Sequence, residues 1–439
     1  MSEPAKAIKD SGKAADAVAT GVRPGSPDEA APPARDWKTT FRHITNTSTV
    51  TVILAVVVAL VIGAIMIAAS DSKVQQAATY LFGRPGDFFA AVGHSVGGAY
   101  SALFQGAVFN LHATSSGAFL LPLTNSIAYA TPLIFAGLAL AMGFRGGLFN
   151  IGGQGQITLG AVLCAYIGFG LHLPAGLHVI LALVGAFVGG AIWGFIPGIL
   201  KAVAGANEVI VTIMLNAIAG FLISYLLTLK AFKVPGSNNP ISPIVDKNAQ
   251  YPSFFGTSID VGFILAVAAA VGVWWLMERS TLGFRIRAVG ENRSAAKTAG
   301  MSVSMTYVWL MIIGGGLCGL AATSPLMSHP AQALSAGVAS TFGFDAITVA
   351  LLGRSKPLGV VFAGLLFGGL RAGGYMMQAG TGTPIDIILV LQSVIVLLIA
   401  APPLVKAIFR LPDPERRKRV KAIKTAPVVP AGLKTEVAA

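Results

Sequence analysis

Long apolar runs dominate the chain and recur with only short polar segments between most of them. The first run, 50–69, contains no charged residue. At a rise of 1.5 Å per residue, about twenty helical residues span about 30 Å, which is the thickness of one bilayer core. This run therefore predicts a membrane-spanning helix.

Nine further apolar segments have the composition of membrane helices. They lie at 126–144, 157–171, 178–200, 208–229, 261–277, 304–323, 344–353, 358–371 and 385–405. Together these runs predict an all-α fold, a polytopic helical membrane protein with about ten transmembrane segments, some short or broken. The eighth and ninth segments, 344–353 and 358–371, are too short for simple crossings. Broken or re-entrant helices are expected there, since irregular backbone survives at membrane depth where it faces protein or a cavity.

The polar segments divide the chain into three parts. Residues 1–49 are rich in Ala, Pro, Lys and Asp without hydrophobic periodicity, and predict a disordered cytoplasmic tail. Residues 50–405 form the predicted transmembrane domain, and 406–439 a basic cytoplasmic tail. Within the domain, the moderately polar stretch 71–122 predicts a long loop with an interfacial amphipathic helix on the outer side.

Composition and charge exclude a soluble protein and disfavour a nucleic-acid partner. Only 11% of residues are charged, against about 25% in soluble domains. The net charge of +13 comes from basic residues concentrated in the tails and a few loops, including 279–297 and 406–424. The positive-inside rule assigns both segments to the cytoplasm. Ten spans then place both termini in the cytoplasm and the loop 230–258 outside.

The first candidate segment for chemistry is a glycine-rich break between two apolar runs. Five glycines lie between Gly146 and Gly155, and each disfavours a continuous helix by about 1 kcal/mol relative to Ala. Asn150, Gln154 and Gln156 supply uncharged donors and acceptors beside the break. Freed backbone and amide groups can bind a polar, uncharged ligand, so these three residues are candidates for lining a translocation pathway. The alternative is a tight turn between two spans.

The second candidate segment begins the fifth predicted span. Glu208 lies at the edge of this span, where an ionisable residue is a candidate functional group. Alternatively, Asn207 caps the helix and Glu208 interacts favourably with the positive end of its dipole. Asn216 lies deeper and needs a hydrogen-bond partner from another helix or from a ligand. Glu208 and Asn216 complete the set of predicted pathway residues.

The third candidate segment is the predicted cytoplasmic loop 282–301. It combines mixed charge with small residues, and its short helix-forming part ends at Gly300, a residue that commonly terminates helices. Such a helix suits docking into a groove on a partner protein. The alternative is an ordinary solvated loop.

Several motifs are missing from the sequence, and their absence narrows the function. There is no phosphate-binding Gly-x-x-x-x-Gly-Lys-Ser/Thr loop and no His-Glu-x-x-His. The main acidic candidates in spans are Glu208, Asp345 and Asp386, too few for an evident proton relay. Cys164 and Cys318 lie in apolar stretches and are expected to be packing residues, with no metal site. An enzyme and an ion-coupled carrier are therefore disfavoured.

A set of motifs in fixed order carries a resemblance to a known family. In chain order the motifs are Thr131-Pro132-Leu133, Gly147-Leu148-Phe149-Asn150-Ile151-Gly152 with Gln154-Gly155-Gln156, Asn207-Glu208-Val209 with Met214-Leu215-Asn216, Gly290-Glu291-Asn292 with Ala295-Ala296 and Ala299-Gly300-Met301, and Gly343-Phe344-Asp345 with Ala350-Leu351-Leu352-Gly353-Arg354. Over residues 50–405 the chain resembles permease subunits of bacterial ATP-binding cassette (ABC) importers. The branch is the one serving nucleosides, simple sugars and branched-chain amino acids. The chain is most similar to nucleoside-type permeases that work with a basic-membrane-protein-like lipoprotein receptor.

This resemblance implies a transport subunit rather than an enzyme. Its solute would be small, polar and uncharged, with a nucleoside favoured and a simple sugar or branched-chain amino acid as the alternative. An ATP-independent secondary carrier is a more distant alternative. The implied partners are an ABC ATPase subunit, a second homologous permease subunit, an extracytoplasmic substrate-binding protein and membrane lipid. No cofactor is expected on this chain, because the partner ATPase uses ATP and Mg. The implied location is the bacterial plasma (inner) membrane, with multiple passes.

The resemblance also implies that residues 285–301 include the helix that couples the permease to the ATPase. Broader importer permeases have Glu-Ala-Ala-x-x-x-Gly there, whereas this chain has Ser294-Ala295-Ala296 and ends in Gly300. The missing Glu removes one expected polar contact and leaves the docking helix in place. The implied coupling residues are Arg285, Arg287, Glu291, Asn292, Ala295, Ala296 and Gly300.

Overall fold

The computed structural model describes residues 48–111, 113, 116–253, 259–401, 404–405 and 408–409. The predicted N-terminal and C-terminal tails fall almost entirely outside these residues. Over the described parts of the chain, regular structure consists of α-helices, one 3₁₀ turn at Lys247–Ala249 and one isolated β-bridge between Ser253 and Asp260. The predicted all-α fold class is confirmed.

Helices follow one another through the described chain with mostly short connections. They are α1 Ser48–Ser70, α2 Ser72–Ala78, α3 Pro85–Ala107, α4 Ser116–Arg145, α5 Gly153–Gly170, α6 Leu177–Ala204, α7 Glu208–Leu226, α8 Val261–Arg279, α9 Thr281–Glu291, α10 Arg293–Thr298, α11 Val303–Ala321, α12 Thr323–Met327, α13 Phe342–Leu352, α14 Pro357–Thr381 and α15 Asp386–Ala400.

The length and hydropathy of these helices confirm a polytopic membrane protein. Among the described residues, seven helical stretches are long and apolar enough to cross a bilayer. They correspond to α1, α4, α6, α7, α8, α11 continued by α12, and α14. Each of the ten predicted segments overlaps a helix. The count of ten crossings is not confirmed, because α13 and α15 are shorter apolar helices and α5 is not among the seven.

The two segments predicted to be short differ from each other in the structure. The eighth corresponds to α13, which has only 11 residues, as expected. The ninth corresponds to α14, which has 25 residues, so the prediction of a short ninth span is wrong. The predicted span ends at Arg371, whereas α14 continues for ten further residues to Thr381.

The stretch 71–122 is predicted to be a long loop with one interfacial helix. In the structure it contains α2, α3 and the first residues of α4. The 23-residue helix α3 packs along α14 at very short range. A Cβ atom added to Gly373 would lie 2.2 Å from the carbonyl oxygen of Leu103. Two helix backbones that approach this closely require a residue without a side chain.

Helices α6 and α11 form the tightest pair in the described fold. A Cβ added to Gly190 would lie 2.1 Å from the carbonyl oxygen of Gly315, and one added to Gly315 would lie 2.4 Å from that of Gly190. Gly194 and Gly319 continue this contact one turn along each helix. Small residues at a four-residue spacing allow such close van der Waals packing in membranes. Helix α5 packs against both members of this pair, and α4 packs against α11.

The segment between α7 and α8, predicted as an external loop, is folded against the helix ends. Tyr251 is fully buried and its hydroxyl donates to Thr323 Oγ1 at 2.8 Å. Ser242 and Leu334 are joined by hydrogen bonds in both directions. The backbone N–H of Asp246 donates to the carbonyl of Gly168, at the end of α5, at 2.8 Å. This segment therefore covers the ends of α5 and α12.

Candidate functional site

The polar turn, defined as residues 146–156, connects α4 to α5 and contains three of the predicted pathway residues. Asn150 and Gln156 are 3% and 1% exposed. Asn150 Nδ2 donates to Gln156 Oε1 at 3.1 Å, while Asn150 Oδ1 accepts from the N–H of Gly152 at 2.9 Å. The Asn150 amide thus satisfies a backbone N–H of the break, and Gln156 in turn bonds to Asn150.

Helix α7 supplies the side chains that hold this turn. Asn216 Nδ2 donates to the carbonyl of Ile151 at 2.9 Å, and its Oδ1 accepts from the N–H of Gly155 at 2.8 Å. The Thr212 hydroxyl accepts from the N–H of Ile151 at 3.3 Å. The partner that Asn216 needed is therefore the backbone of the turn itself.

Gln154 connects the turn to the start of α13. Its Nε2 donates to the carbonyl of Ser340 at 2.5 Å, and its Oε1 accepts from the N–H of Gly343 at 3.2 Å. A Cβ on Gly343 would lie 2.3 Å from the backbone nitrogen of Gln154, so the two segments are in direct backbone contact. The short helix α13 begins against α5.

Glu208 is the one predicted pathway residue whose side chain bonds elsewhere. Its carboxylate pairs with Lys201 Nζ at 2.5 Å, and both side chains are 13% exposed. Asn207 caps α7, because its Oδ1 accepts from the N–H groups of Val209 and Ile210 at 3.0 and 3.4 Å. The capping interpretation is confirmed.

The predicted coupling residues lie on α9, on α10 and at the end of α10. Asn292 caps α10 by accepting from the N–H of Ala295 at 3.0 Å, and Gly300 ends it with a φ of +77°. Ala296 is buried and Arg287 is half-buried. The remaining coupling residues are exposed: Arg285, Glu291, Asn292, Ala295 and Gly300. Helix α10 therefore has an exposed face that a partner can reach, while Ala296 on its other face is buried.

The docking segment, defined as residues 282–301, is attached directly to the polar turn. Arg293 Nη2 donates to the carbonyl of Gly147 at 3.1 Å. A Cβ on Gly290 would lie 2.1 Å from the carbonyl oxygen of Arg145, so only glycine allows this approach. Glu278 also accepts from Arg145 at 2.8 Å and from Arg287 at 3.0 Å. A displacement of α10 would thus act on the end of α4.

A cavity of about 540 Å³ is bounded by α4, α12, the segment 328–341 and α14. We refer to it as the α4–α14 cavity. Asn125, Tyr129, Gln332, Arg371 and Tyr375 are among its lining residues. Ligand sites are commonly clefts of about 300–1,000 Å³ with a few placed polar groups. None of the five predicted pathway residues lines it.

Arg371 on α14 is the main charged group of the cavity. Its Nη1 contacts Asp345 Oδ2 at 3.3 Å and donates to Thr341 Oγ1 at 3.0 Å, while its Nη2 donates to Ser340 Oγ at 3.0 Å. The guanidinium carbon lies 5.1 Å from the ring centroid of Phe342. Asp345 and the Phe342 ring together hold the Arg371 guanidinium beside the first turn of α13.

Aromatic rings line the wall of the cavity next to Arg371. The rings of Tyr129 and Tyr375 stack with centroids 5.7 Å apart and planes 28° apart. The Arg371 guanidinium lies 6.0 Å from the centroid of the Tyr129 ring. A smaller cavity of about 300 Å³ adjoins the first through Asn125 and Tyr375.

Comparison with known proteins supplies the family. A model of the permease component of branched-chain amino acid transport systems matches residues 123–400. The chain belongs to this permease family. The match covers the polar turn, the docking segment and every group named in the cavity.

Curated relatives extend the match over most of their own lengths. The guanosine ABC transporter permease protein NupP of Bacillus subtilis is 38% identical over 70% of this chain and 87% of the relative. The glucose permease TsgB13 of Haloferax volcanii is 33% identical over 63% and 75%. The nucleoside permease NupB of Lactococcus lactis is 32% identical over 67% and 82%. No solved structure matches the chain.

The site residues of this permease thus form two groups. The structure brings Asn150, Gln154, Gln156 and Asn216 together at the polar turn, and their role in a pathway stays a prediction. Sequence reasoning missed Arg371. Its signal was available, because an arginine lies within a glycine-rich apolar run between 357 and 381.

Proposed function

We propose that this chain is the membrane-spanning permease subunit of an ABC importer that translocates a nucleoside, using ATP and Mg bound by a partner ATPase. The observation that carries this proposal is the 38% identity to a guanosine permease across 87% of that protein. Similarity to a second, nucleoside permease at 32% supports the same solute class. The chain itself supplies the path rather than the chemistry of ATP hydrolysis.

The docking segment supports an ATPase as partner. Helix α10 exposes Ala295 and Lys297, and its N-terminal Arg293 bonds to the polar turn. An ATPase that closes beneath α10 would therefore move α4 and α5 together. This arrangement converts a displacement at the docking surface into a change around the bundle interior, as alternating access requires.

The remaining partners and the orientation complete the proposal. The resemblance supports a second homologous permease subunit and an extracytoplasmic substrate-binding protein that delivers the solute. The positive-inside rule supports a cytoplasmic position for both termini and for α10 in a bacterial plasma membrane. The folded segment between α7 and α8 would then lie outside, on the side of the binding protein.

A second candidate solute is a simple sugar, because a glucose permease is 33% identical over 75% of its length. The family description adds branched-chain amino acids as a third class. An ATP-independent carrier remains a competitor that would transport without an ATPase. The ion pairs Lys201–Glu208 and Arg371–Asp345 tie up prominent ionisable groups, which disfavours ion coupling.

The test is reconstitution of the chain with its ATPase, sister permease and binding protein in proteoliposomes. Uptake of radiolabelled nucleosides is measured with and without ATP, beside glucose and leucine. We expect nucleoside uptake that needs ATP and all subunits. Uptake of similar size by this chain alone would refute the proposal that it is a subunit of an ABC importer. ATP-dependent uptake of glucose without uptake of nucleosides would show that the solute is a sugar.

A docking variant makes this test specific. Ala295→Trp adds bulk to the exposed face of α10 and should abolish uptake, because the ATPase can no longer seat on that face. Ala268→Trp is the matched control, since Ala268 is also exposed but lies within α8, outside the docking segment and the external segment 230–258. Gly300→Trp, at the end of α10, should act like Ala295→Trp. Equal uptake by both alanine variants would argue against α10 as the docking helix.

A further inference from the structure

Arg371 occupies a position that needs an explanation. It lies near the middle of α14, one of the helices long and apolar enough to cross a membrane. A charged side chain within such a helix is costly and marks a functional group more often than a purely structural one. The docking segment and the polar turn make no use of this arginine.

The surroundings of Arg371 neutralise its charge without removing its hydrogen-bonding surface. Asp345 lies 3.3 Å from Nη1, and both side chains are 18% exposed, so the pair borders the cavity while remaining largely enclosed. The pair has no net charge. A solute with a charge of either sign would have to compete with one member of the pair, whereas a neutral solute would not.

Two tyrosines give the cavity a second recognition element. The stacked rings of Tyr129 and Tyr375 form an aromatic surface beside the guanidinium of Arg371. Tyr375 is 45% exposed, so its ring is accessible from the cavity. Aromatic side chains bind planar heterocyclic bases by stacking, with little dependence on the identity of the base.

Uncharged polar groups line the rest of the cavity. Asn125 lies in the N-terminal half of α4, one turn before Tyr129, and Ser328 and Gln332 lie on the segment after α12. Hydroxyl and amide groups can both donate and accept hydrogen bonds, which suits the hydroxyls of a sugar. A volume of about 540 Å³ is in the range of small-molecule sites.

We propose that the α4–α14 cavity is the transit site for the solute and that it selects neutral molecules with a planar aromatic ring and a hydroxylated part. The Tyr129–Tyr375 stack contacts the ring, and the paired Arg371 guanidinium supplies donors without attracting an anion. This inference deepens the proposed function and rests on it. It names the residues and the solute class that the family match leaves open.

The test uses the full complex and measures two quantities, nucleoside uptake and ATP hydrolysed per nucleoside imported. Tyr375→Leu keeps an apolar side chain and removes the ring. We expect uptake to fall about tenfold, the effect of losing one base–aromatic stack. ATP hydrolysis stimulated by the binding protein should persist, so that the ATP consumed per nucleoside rises. Tyr375→Phe keeps the ring and should retain much more uptake than Tyr375→Leu.

A matched control separates the cavity from a general effect of losing a tyrosine. Tyr225 on α7 is 62% exposed and lies outside the cavity, so Tyr225→Leu should leave uptake and ATP consumption as they were. If Tyr375→Leu lowers uptake and ATP hydrolysis in parallel, its ring has a structural role and the transit site is refuted.

The outcomes also distinguish the transit site from the proposed function. Nucleoside uptake by the unchanged complex together with unchanged uptake by Tyr375→Leu and Tyr129→Leu would overturn the transit site and leave the function standing. ATP-dependent uptake of glucose or leucine, with none of nucleosides, would overturn both. Nucleoside uptake lost only in the cavity variants would support both.

Discussion

The polar turn and the α4–α14 cavity both lie against the start of α13, yet their polar side chains have different surroundings. In the turn, Asn150 and Gln156 are almost fully buried and bond to each other, and Asn150 also accepts from a backbone N–H. In the cavity, Gln332 and Tyr375 are exposed and border open space. Polar side chains beside a break in a membrane helix can thus form hydrogen bonds with the backbone groups that the break leaves unpaired.

The two regions meet at Ser340. Gln154, from the turn, donates to its carbonyl, and Arg371, from the cavity, donates to its hydroxyl. Ser340 also has a φ of +44°, a conformation that non-glycine residues adopt rarely. Such a residue persists when the surrounding contacts determine its conformation. A change of conformation in either region would therefore alter the contacts of Ser340 with the other region.

The comparison predicts the largest stability loss for a change in the turn. Asn150→Leu leaves the amide of Gln156 and the N–H of Gly152 without their partner. Each buried group left unpaired costs about 1–3 kcal/mol, so unfolding in detergent should become easier by about 2–6 kcal/mol. Thermal unfolding of the purified chain measures this effect.

A cavity variant provides the contrast to Asn150→Leu. Gln332→Ala removes an exposed amide, and the expected change in unfolding free energy is within about 0.5 kcal/mol. Similar losses for both variants would show that the two regions do not differ in the way the hydrogen bonds indicate.

The ion pair in the cavity should give the next largest effect and separate stability from transport. Arg371→Gln leaves the Asp345 carboxylate unpaired, and because both groups keep some solvent contact we expect a loss of about 1–3 kcal/mol. The double change Arg371→Gln with Asp345→Asn should recover most of this stability, since no charge remains unpaired.

Uptake by the double variant should nevertheless stay low, because the donors of the guanidinium are lost. A double-mutant cycle on unfolding, followed by uptake in proteoliposomes, tests both statements. Strictly additive stability losses would show that Arg371 and Asp345 do not act as a pair.

The helices could be predicted from the sequence because apolar length is a local property. Each predicted segment overlaps a helix, and a cap at Asn207, one of two alternatives at that position, could be predicted from its place before an apolar run. The length of α14 was missed because Arg371 interrupts the apolar run, and hydropathy does not reveal whether a charge faces lipid or protein. The helix pair α6 and α11 likewise depends on which glycines meet, which only the tertiary structure shows.

The site could be predicted in part, for a related reason. The turn residues are close in sequence, so their grouping around Asn150 and Gln154 was visible. The cavity combines α4, the segment 328–341 and α14, which are distant in sequence and meet only in the fold. Nothing in the sequence indicates that Asp345 lies beside Arg371 and neutralises its charge.

The smallest expected effect tests the connection between the two regions. Gln154→Ala removes the amide that holds Ser340 and Gly343, and the loss of these bonds should cost about 1 kcal/mol in unfolding. Its main effect should be on coupling, because α10 reaches the cavity through the turn and Ser340. We expect the ATP consumed per nucleoside imported to rise while ATP hydrolysis itself persists. Gln75→Ala is the matched control, since Gln75 Nε2 also donates to a backbone carbonyl, that of Ala69, at 2.8 Å. If the two glutamine variants consume the same ATP per nucleoside, the contact at Ser340 holds the structure together without linking the docking surface to the cavity.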